Sequence, residues 1–397
     1  MTELDWDPEA EAPATIAIIG AGPVGIEAAI YARFLGYFVS IFEQQRVAHR
    51  MLDWHDRPLQ VTVGECTTSM GHAAIAAQNP NYRRRNPQDV FTGRSYSEEY
   101  LLPLAKTDLL FDDIHFLSPV IDVSRYRTCI FDDIDAQERC NDEFRILVDG
   151  RHRGTWVSRA EVVLDCRGAV HKPSGIGPGG GLAIGEIGLR DSFLRHAPLD
   201  RKFEAKAIVD KHVCVVGQSI RAAHFALEYL AQFGDVKNSR MTWLLRPDRR
   251  HDSAVMTSAL KAIREKQFSN IVVLESLGVE QIQRDEQGVY HVKLLRDDDS
   301  TVDMQCDVVI SLTGGRRCSL SSELLEGHPT NHDDCAAFVT NEPGFYVLQG
   351  GSIECGAGVG LSDAFRNIRQ LFAMLAGRQD LDLYDIIAKQ QQGPEAE

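Results

Sequence analysis

Apolar residues along the chain gather in short uninterrupted runs, and several of these runs end at a glycine. The first run, Thr15–Ile19, is rich in β-branched residues and is typical of a buried parallel strand. Residues 23–35 follow as a predicted helix that Gly36 ends, and the next run, Phe38–Phe42, predicts a second strand. Strand, glycine turn, helix and strand in this order predict a βαβ unit.

The same order returns in the second half of the chain. His212–Val216 predicts a strand, residues 223–233 predict a helix, and residues 241–245 predict the next strand. Two further segments, 161–168 and 306–315, each combine an apolar strand with a glycine turn, which indicates an internal duplication. The sequence therefore predicts an α/β fold that contains two βαβ units.

The pattern around these units is more varied. Residues 143–148 and 155–158 predict a hairpin whose turn lies at Asp149 and Gly150. Residues 271–295 alternate with turn residues in a way that predicts a small three-stranded meander. Near the end of the chain, residues 344–351 predict another buried strand with a glycine turn, and residues 361–375 predict a helix.

The glycines of the first turn have separate physical roles. Gly20 permits the tight turn, Gly22 lets the backbone approach a pyrophosphate, and Gly25 lets the helix pack on the strand. Pro23 suits the first helical position, and a phosphate would sit at this helix N-terminus. Glu43, directly after the second strand, is placed to accept hydrogen bonds from a ribose 2′-hydroxyl and to repel a 2′-phosphate. The first unit is therefore predicted to bind FAD or NAD rather than NADP.

The second turn differs at the positions that select a nucleotide. Gly217, Gln218 and Ser219 form the turn, and Ala222 holds the place of the third glycine. The following strand runs into Arg246, a cation where the first unit has an acid. A cation there favours a 2′-phosphate, so the second unit is predicted to bind NADPH, with NADH as the alternative. The other interpretation of Arg246 is ordinary surface charge.

Composition and charge limit the class of protein. A chain of 397 residues has room for two domains, and 44% hydrophobic with 25% charged residues is typical of a soluble globular protein. The net charge of −15 argues against a nucleic-acid partner and against an anionic membrane surface, because both need a basic face. Charged residues and glycines interrupt the apolar stretch at 15–42, so no membrane span is expected.

The nine cysteines are scattered, with no CxxC pattern and no spacing typical of a metal site. We therefore expect no metal, and reduced thiols in a cytoplasmic protein. Residues 1–13 are acidic and lack the apolar stretch of a secretory signal, so we expect them to form a disordered leader.

These features together resemble the two-dinucleotide-binding-domain flavoproteins, the superfamily of the pyridine nucleotide-disulfide oxidoreductases and the flavin-dependent monooxygenases. The resemblance covers most of the chain. It rests on the motif GAGPVG with Glu43, the motif GQS with Arg246, and three glycine turns: DCRG at 165–168, LTGG at 312–315 and LQGG at 348–351.

The resemblance implies two Rossmann-like dinucleotide-binding domains, the second inserted into the first. The FAD-binding domain would comprise residues 14–205 and 316–397, and the NAD(P)H-binding domain would comprise residues 206–315. The residues expected to contact a cofactor are Gly20, Gly22, Pro23, Gly25, Glu43, Gly168, Gly217, Gln218, Ser219, Arg246, Gly315, Gly350 and Gly351.

The chain also departs from both branches of the superfamily. The disulfide reductases need two thiols close in sequence; here Cys66 is a candidate single redox thiol, or else a buried structural cysteine. The monooxygenases usually carry an FxGxxxHxxxW stretch before the second turn, and residues 190–211 lack it. Gln349 occupies a place often held by an aspartate that binds the flavin ribityl chain.

The resemblance implies an enzyme, an FAD-dependent NAD(P)H oxidoreductase of monooxygenase type. Hydride would pass from NADPH to FAD and then to oxygen with a small-molecule substrate. One alternative is an NAD(P)H-dependent reductase of a disulfide or quinone-like acceptor, and another is a non-catalytic flavin- or nucleotide-binding sensor. The sequence identifies no catalytic residue, and it leaves the electron acceptor and the oligomeric state open.

Overall fold

The computed structural model of the protein describes residues 4–53, 56, 58–59, 61–168, 171–193, 208–218, 220–234, 236, 238–246, 254–266, 270–313, 315–317, 320–325, 338–348 and 360–392. The chain divides into two compact units. The first comprises Met1–Gly168, Ser319–Ser352 and Ala357–Glu397, and the second comprises Ala169–Cys318 and Ile353–Gly356.

Two sheets form the first unit. Its strands, numbered in chain order through the whole molecule, are β1 (Thr15–Ile19), β2 (Phe38–Phe42), β3 (Ile114–His115), β4 (Val120–Arg125), β5 (Phe144–Gly150), β6 (Gly154–Ala160), β7 (Val162–Asp165) and β17 (Phe345–Val347). Five of them form a parallel sheet in the order β17, β7, β1, β2, β3, while β4, β5 and β6 form an antiparallel sheet. Because β17 comes after the second unit in the chain, the second unit is an insertion in the first.

Helices cover the parallel sheet of the first unit. They are α1 (Pro23–Phe34), α2 (His49–Asp53), α3 (Val63–Cys66), α4 (Ser69–Gln78), α5 (Gly93–Tyr96), α6 (Leu102–Ala105), α7 (Ala136–Cys140), α11 (Leu361–Leu375) and α12 (Leu383–Gln392). A π-helical turn at Ser97–Leu101 joins α5 to α6, and a 3-10 turn lies at Phe111–Asp113. The helix α1 packs on α11, with the rings of Tyr31 and Phe372 stacked at a centroid distance of 5.1 Å.

The second unit repeats the parallel core on a smaller scale. Its strands are β8 (His171–Pro173), β9 (His212–Val216), β10 (Arg240–Leu245), β11 (Ile271–Glu275), β12 (Gly278–Arg284), β13 (Tyr290–Leu295), β14 (Thr301–Cys306), β15 (Val308–Ser311) and β16 (Gly315–Arg317). Its helices are α8 (Glu186–Leu189), α9 (Ile220–Phe233) and α10 (Ala254–Lys266), with 3-10 turns at Pro178–Gly180 and Arg190–Ser192. A parallel sheet has the order β11, β10, β9, β15; β12, β13 and β14 form an antiparallel meander, and β8 pairs with β16.

This architecture confirms the predicted fold class. The bounds of β1, β2, β9 and α11 are those that the apolar pattern predicts. The cofactor-domain bounds of 14–205 with 316–397, and of 206–315, stay predictions; β8 and α8, which precede residue 206, lie in the second compact unit.

Two local predictions are wrong. Residues 271–275 form β11, which pairs in parallel with β10 through Met241 and Ile271, and the third strand of the meander is β14. The apolar run of β11 suits a strand beside a buried neighbour, which a pattern alone does not distinguish from a meander strand. In the hairpin, Asp149 and Gly150 belong to β5, so the turn lies at residues 151–153.

The expected disordered leader is also wrong for residues 4–13. Trp6 is buried in the core of the first unit. The backbone N–H of Ala10 donates to the carbonyl of Leu375 at 2.8 Å, and the hydroxyl of Tyr37 donates to the carbonyl of Ala10 at 2.8 Å. One buried tryptophan thus anchors an otherwise polar segment.

A buried ionic cluster fixes the segment by which the chain returns to the first unit. The carboxylate of Glu342, three residues before β17, accepts from Nε of Arg125 at 2.7 Å and from Nε of Arg139 at 3.0 Å. These side chains are almost fully buried, so loss of one partner would leave an uncompensated charge. The cluster therefore ties β4 and α7 to the start of β17.

None of the helices in the described ranges is long and apolar enough to cross a membrane.

Candidate functional site

The first glycine turn lies at the carboxyl ends of β1 and β7. Gly20 has φ +104°, and a Cβ there would lie 2.9 Å from the carbonyl oxygen of Cys166. A Cβ at Gly25 would lie 1.9 Å from the carbonyl oxygen of Gly20, so the first turn of α1 sits directly on the strand end. These contacts are with backbone atoms that cannot move aside, and both positions therefore require glycine.

The N-terminus of α1 is open. Gly22 is its N-cap residue and supplies no side-chain cap, and Pro23 is the first helical residue. A Cβ at Gly22 would meet no atom of the described residues within 4 Å. By contrast, α4 is capped by Thr68, whose hydroxyl accepts from the N–H of Gly71 at 2.9 Å. An uncapped helix N-terminus with free space before it has the geometry of an anion site.

Glu43 follows β2 and reaches back to this turn. Its Oε2 accepts from the backbone N–H of Ala21 at 2.9 Å, and its Oε1 accepts from the backbone N–H of Gln45 at 2.8 Å. The side chain is largely buried. Two backbone donors thus fix the carboxylate, which keeps further acceptor capacity for a hydroxyl group.

A pocket of about 630 Å³ lies next to Glu43. Its lining residues come from the segments after β2, after β3 and around the β5–β6 turn: Gln44, Gln45, Arg46, His49, Leu117, Pro119, Asp149 and Arg151. The sequence analysis missed these residues. They are distant in the chain and share no motif, so only the register of β2 beside β3 indicates that they meet.

The strand β7 ends beside the first turn. Its last residue, Asp165, is buried and accepts from Nε and the terminal nitrogen of Arg167 at 2.9 and 2.8 Å. Gly168, with φ +66°, has open space where a Cβ would lie. The structure therefore brings the 165–168 turn to Gly20, while Gly350 and Gly351 lie outside the described residues.

The second glycine turn repeats this arrangement within the second unit. Gly217 has φ +134°, and a Cβ there would lie 2.3 Å from the carbonyl oxygen of Leu312. The indole Nε1 of Trp243 donates to the carbonyl of Gly217 at 2.8 Å, and Nε2 of Gln218 donates to the carbonyl of Arg246 at 2.8 Å. Ser219 lies outside the described residues.

The 312–315 segment has the same place in the second unit as the 165–168 segment in the first. Leu312 touches the second turn as Cys166 touches the first. Gly315 is the first residue of β16 and pairs with Pro173 of β8. The internal duplication that the sequence indicates is thus visible in the contacts of both turns.

The strand registers refine the comparison of Glu43 with Arg246. In the first sheet Ile19 pairs with Phe42, and in the second Val216 pairs with Leu244. The position equivalent to Glu43 is therefore Leu245, and Arg246 is the next residue. Arg246 is half-buried and forms no ion pair with any residue in the described part of the chain.

The described thiols lie mostly in the core. Cys66 is fully buried, and burial raises the pKa of its thiol to about 12. Cys214 and Cys306 are also buried, and the hydrogen bond between their side chains raises the pKa of Cys214. The sequence does not indicate this pair, because the two residues lie on β9 and β14, far apart in the chain. Across the described ranges, no three His, Cys, Asp or Glu side chains gather as metal ligands.

A buried carboxyl group lies on α1 beyond the turn. Glu27 accepts from the hydroxyl of Thr68 at 2.8 Å and from the hydroxyl of Tyr100 at 3.4 Å. Burial raises the pKa of Glu27 to about 7, against the opposing effect of these hydrogen bonds. The sequence analysis did not identify Glu27, because nothing in the local pattern distinguishes a buried acid from a solvated one.

No protein-family model matches the chain, and no curated protein matches it in sequence. Solved structures are similar in fold. The FAD-bound cadaverine monooxygenase of desferrioxamine biosynthesis from Erwinia amylovora has a TM-score of 0.60 at 12% identity, over 93% of this chain and 97% of that one. The bacillithiol disulfide reductase of Bacillus cereus has a TM-score of 0.59 at 14% identity, over 95% and 99%.

A third neighbour is the ornithine N-hydroxylase of Kutzneria sp. 744, solved with reduced FAD, NADP+ and L-ornithine. Its TM-score is 0.52 at 14% identity, over 95% of this chain and 99% of that one. Both branches of the superfamily that the motifs resemble are thus represented among these structures. The chain has the fold of the two-dinucleotide-binding-domain flavoproteins, which confirms at the level of the fold the resemblance seen in its sequence.

Proposed function

We propose that the protein is an FAD-dependent oxidoreductase that receives hydride from NADPH. The observation that carries the proposal is the first turn, where an open helix N-terminus lies beside a carboxylate fixed by two backbone donors. An anionic pyrophosphate fits the first feature, and a ribose hydroxyl fits the second. Three of the solved structures with this fold are named as a monooxygenase bound to FAD, a disulfide reductase and an N-hydroxylase with reduced FAD, which supports the same assignment.

The residues of the first unit suit FAD. Gly22 would let the backbone N–H groups at the start of α1 bind the pyrophosphate, since a side chain there would fill the open space. Glu43 would accept a hydrogen bond from the adenosine ribose, and the pocket after β2 has room for the adenine. FAD, when bound, supplies the hydride acceptor; the protein supplies its orientation and its surroundings.

NADPH is assigned to the second unit. Gly217 forms the same kind of turn as Gly20, and Arg246, just after β10, offers a guanidinium that forms no ion pair with the described residues. Leu245, at the position of Glu43, is neutral and does not repel a 2′-phosphate. We therefore propose Gly217, Gln218, Ser219 and Arg246 as the pyridine nucleotide contacts, with preference for NADPH over NADH.

The buried thiols in the described part of the chain fit the monooxygenase type better than the disulfide reductase type. A disulfide reductase needs an accessible thiolate, whereas burial raises the pKa of Cys66 to about 12. The pair formed by Cys214 and Cys306 is also closed to a substrate, because both side chains are buried in the core of the second unit. We propose oxygen as the final acceptor, together with a small-molecule substrate.

Anaerobic titration tests the proposal. The protein is loaded with FAD, and the loss of the yellow flavin absorbance is followed as NADPH or NADH is added. We expect reduction by both nucleotides with a clear preference for NADPH, followed by rapid oxygen uptake when air is admitted. Binding of FAD without reduction by either nucleotide would favour a sensor and contradict the enzyme.

A thiol-based reductase is tested by the variant Cys66→Ala. We expect its turnover with NADPH to equal that of the wild type, because the buried thiol takes no part. NADPH-dependent reduction of a small disulfide by the wild type, abolished in Cys66→Ala, would overturn the monooxygenase assignment and establish the reductase.

A further inference from the structure

Gln218 spans the gap between the second turn and the end of β10. Its side-chain Nε2 donates to the carbonyl oxygen of Arg246 at 2.8 Å. A second bond crosses the same gap in the opposite direction, from Nε1 of Trp243 to the carbonyl of Gly217, also at 2.8 Å. Together the two bonds fix the end of β10 against the turn that follows β9.

The first unit closes the corresponding gap in another way. Ala21 has the place of Gln218, one residue after the first glycine of the turn, and its backbone N–H donates to the carboxylate of Glu43. In the second unit Leu245 stands at the position of Glu43, and its side chain has no hydrogen-bond acceptor. The side chain of Gln218 makes the connection instead, and the residue that it holds is Arg246.

The backbone of Arg246 is restricted from its other side by the sequence. Pro247 follows, and a residue before proline is confined mostly to extended conformations. The carbonyl that Gln218 binds belongs to this same peptide bond. The backbone of Arg246, from which the side chain extends, is therefore restricted by a hydrogen bond and by the steric effect of the following proline.

The guanidinium of Arg246 is available for a ligand. It is half-buried and has no carboxylate partner among the residues that the structure describes. A guanidinium binds phosphate oxygens in a fixed, two-pronged geometry, so its orientation matters more than that of an ammonium group. An arginine whose backbone is already fixed loses less conformational freedom when it binds.

We propose that Gln218 is a positioning residue that sets Arg246 for the 2′-phosphate of a phosphorylated adenosine nucleotide. The inference rests on the proposed function, because it takes the second unit as the site of a pyridine nucleotide. It goes beyond that function by assigning nucleotide preference to a residue that touches Arg246 rather than to Arg246 alone.

Calorimetry with two small probes tests this inference without any turnover. Adenosine 2′,5′-bisphosphate and 5′-AMP differ only in the 2′-phosphate, and each is titrated into the full-length protein in the presence of excess FAD. We expect the wild type to prefer the bisphosphate. Gln218→Met keeps the length of the side chain but removes the donor, and it should lower this preference roughly three- to tenfold, the effect of losing one hydrogen bond.

Trp243→Phe is the matched control, because it removes the other bond across the same gap and leaves the Arg246 carbonyl bound. We expect it to weaken both probes equally, so the preference stays at the wild-type value. An equal loss for both probes in Gln218→Met, or a wild type with no preference, would overturn the inference. If the preference and its loss are observed while NADPH fails to reduce bound FAD, the proposed function fails and the role of Gln218 stands.

Discussion

The two glycine turns share a backbone plan and differ in the side chains that complete it. Gly20 and Gly217 both have positive φ, and both lie against a carbonyl at the end of the neighbouring strand, that of Cys166 or Leu312. The first turn is completed by the acid of Glu43, whereas the second is completed by a glutamine amide. The fold thus fixes the shape of the turn, while different side chains complete it in the two units.

The largest difference between the two turns is at the third glycine position. Gly25 carries no side chain because a Cβ would lie 1.9 Å from the carbonyl oxygen of Gly20, while the second unit has Ala222 there. We expect Gly25→Ala to lower the free energy of unfolding by about 4 kcal/mol or more, since the clash is with backbone. Ala222→Gly should cost only about 1 kcal/mol, mainly in helix propensity. Urea unfolding followed by circular dichroism measures both.

Gly22→Ala is the control that separates folding from binding. Its Cβ would meet no atom within 4 Å among the residues that the structure describes, and the backbone at Gly22 is extended, so we expect wild-type stability. The added methyl group would occupy the space proposed for the pyrophosphate, and the Kd for FAD should rise at least about tenfold. Wild-type FAD affinity in Gly22→Ala would contradict the placement of the pyrophosphate at this turn.

The second difference concerns the helices that follow the turns. Seven residues after the first glycine, α1 carries Glu27 and α9 carries His224. Burial raises the pKa of Glu27 to about 7 and lowers the pKa of His224 below its usual value. Both groups therefore favour their neutral form, but they affect stability at opposite ends of the pH range.

For Glu27 the folded state binds a proton that the unfolded state releases, so stability falls as pH rises from about 4.5 to above 7. Glu27→Gln removes this titration and should be more stable than the wild type by about 3 kcal/mol above that range. The two proteins should converge below pH 4.5. Thermal unfolding across the pH range measures the difference.

The groups that face Glu27 are the same in wild type and Glu27→Gln, so their own titrations cancel in the difference between the two proteins. Thr68 does not titrate, burial raises the pKa values of Tyr100 and Tyr384, and burial lowers the pKa of His72 on α4 to about 4. His72 titrates in the same window with the opposite sign, because its lowered pKa makes stability rise between about pH 4 and 6.5. His224→Gln is the matched variant in the second unit, and it should reduce the loss of stability below the usual histidine pKa. Parallel pH profiles for wild type and Glu27→Gln would show that Glu27 is already solvated.

Much of the fold follows from the sequence because the parallel strands are buried on both faces. The bounds of β1, β2 and β9 are those of short, largely apolar runs, and β1 and β9 each end at a glycine that permits a turn. The position of β11 beside β10 in the parallel sheet could not be predicted, since an apolar run does not indicate which strand it pairs with. The burial of Trp6 could not be predicted either, because the core residues with which it clusters lie far from it in the sequence.

The candidate site follows from the sequence only where a motif is contiguous. Gly20, Gly22 and Gly25 lie within six residues, so their spacing predicts the turn. The pocket around Arg46 and Arg151 joins loops that are about a hundred residues apart, and no spacing rule connects them. The one-residue offset of Arg246 from Glu43 likewise needs the strand registers, because the two units have strands of different length.

Replacement of Glu43 should have a moderate effect on stability. Glu43→Leu copies the residue at the equivalent position of the second unit and leaves the N–H groups of Ala21 and Gln45 without their acceptor. We expect the free energy of unfolding to fall by about 2 kcal/mol, the cost of unpaired buried donors. Glu43→Gln keeps one acceptor oxygen and should lie between Glu43→Leu and the wild type, as urea unfolding would measure.

FAD affinity in the same two variants decides what the acid does. If Glu43 binds the ribose, both variants weaken FAD, and Glu43→Leu weakens it more because it has no hydrogen-bonding atom. If the acid only holds the turn, loss of affinity follows loss of stability and disappears at low temperature, where the turn is intact. In the second unit the hydrogen bonds of Gln218 and Trp243 hold the turn, and Leu245 takes the place of the acid. A turn of this shape therefore does not by itself require a carboxylate at the position of Glu43. Retention of full FAD affinity by a stably folded Glu43→Leu protein would therefore move the ribose contact to another residue.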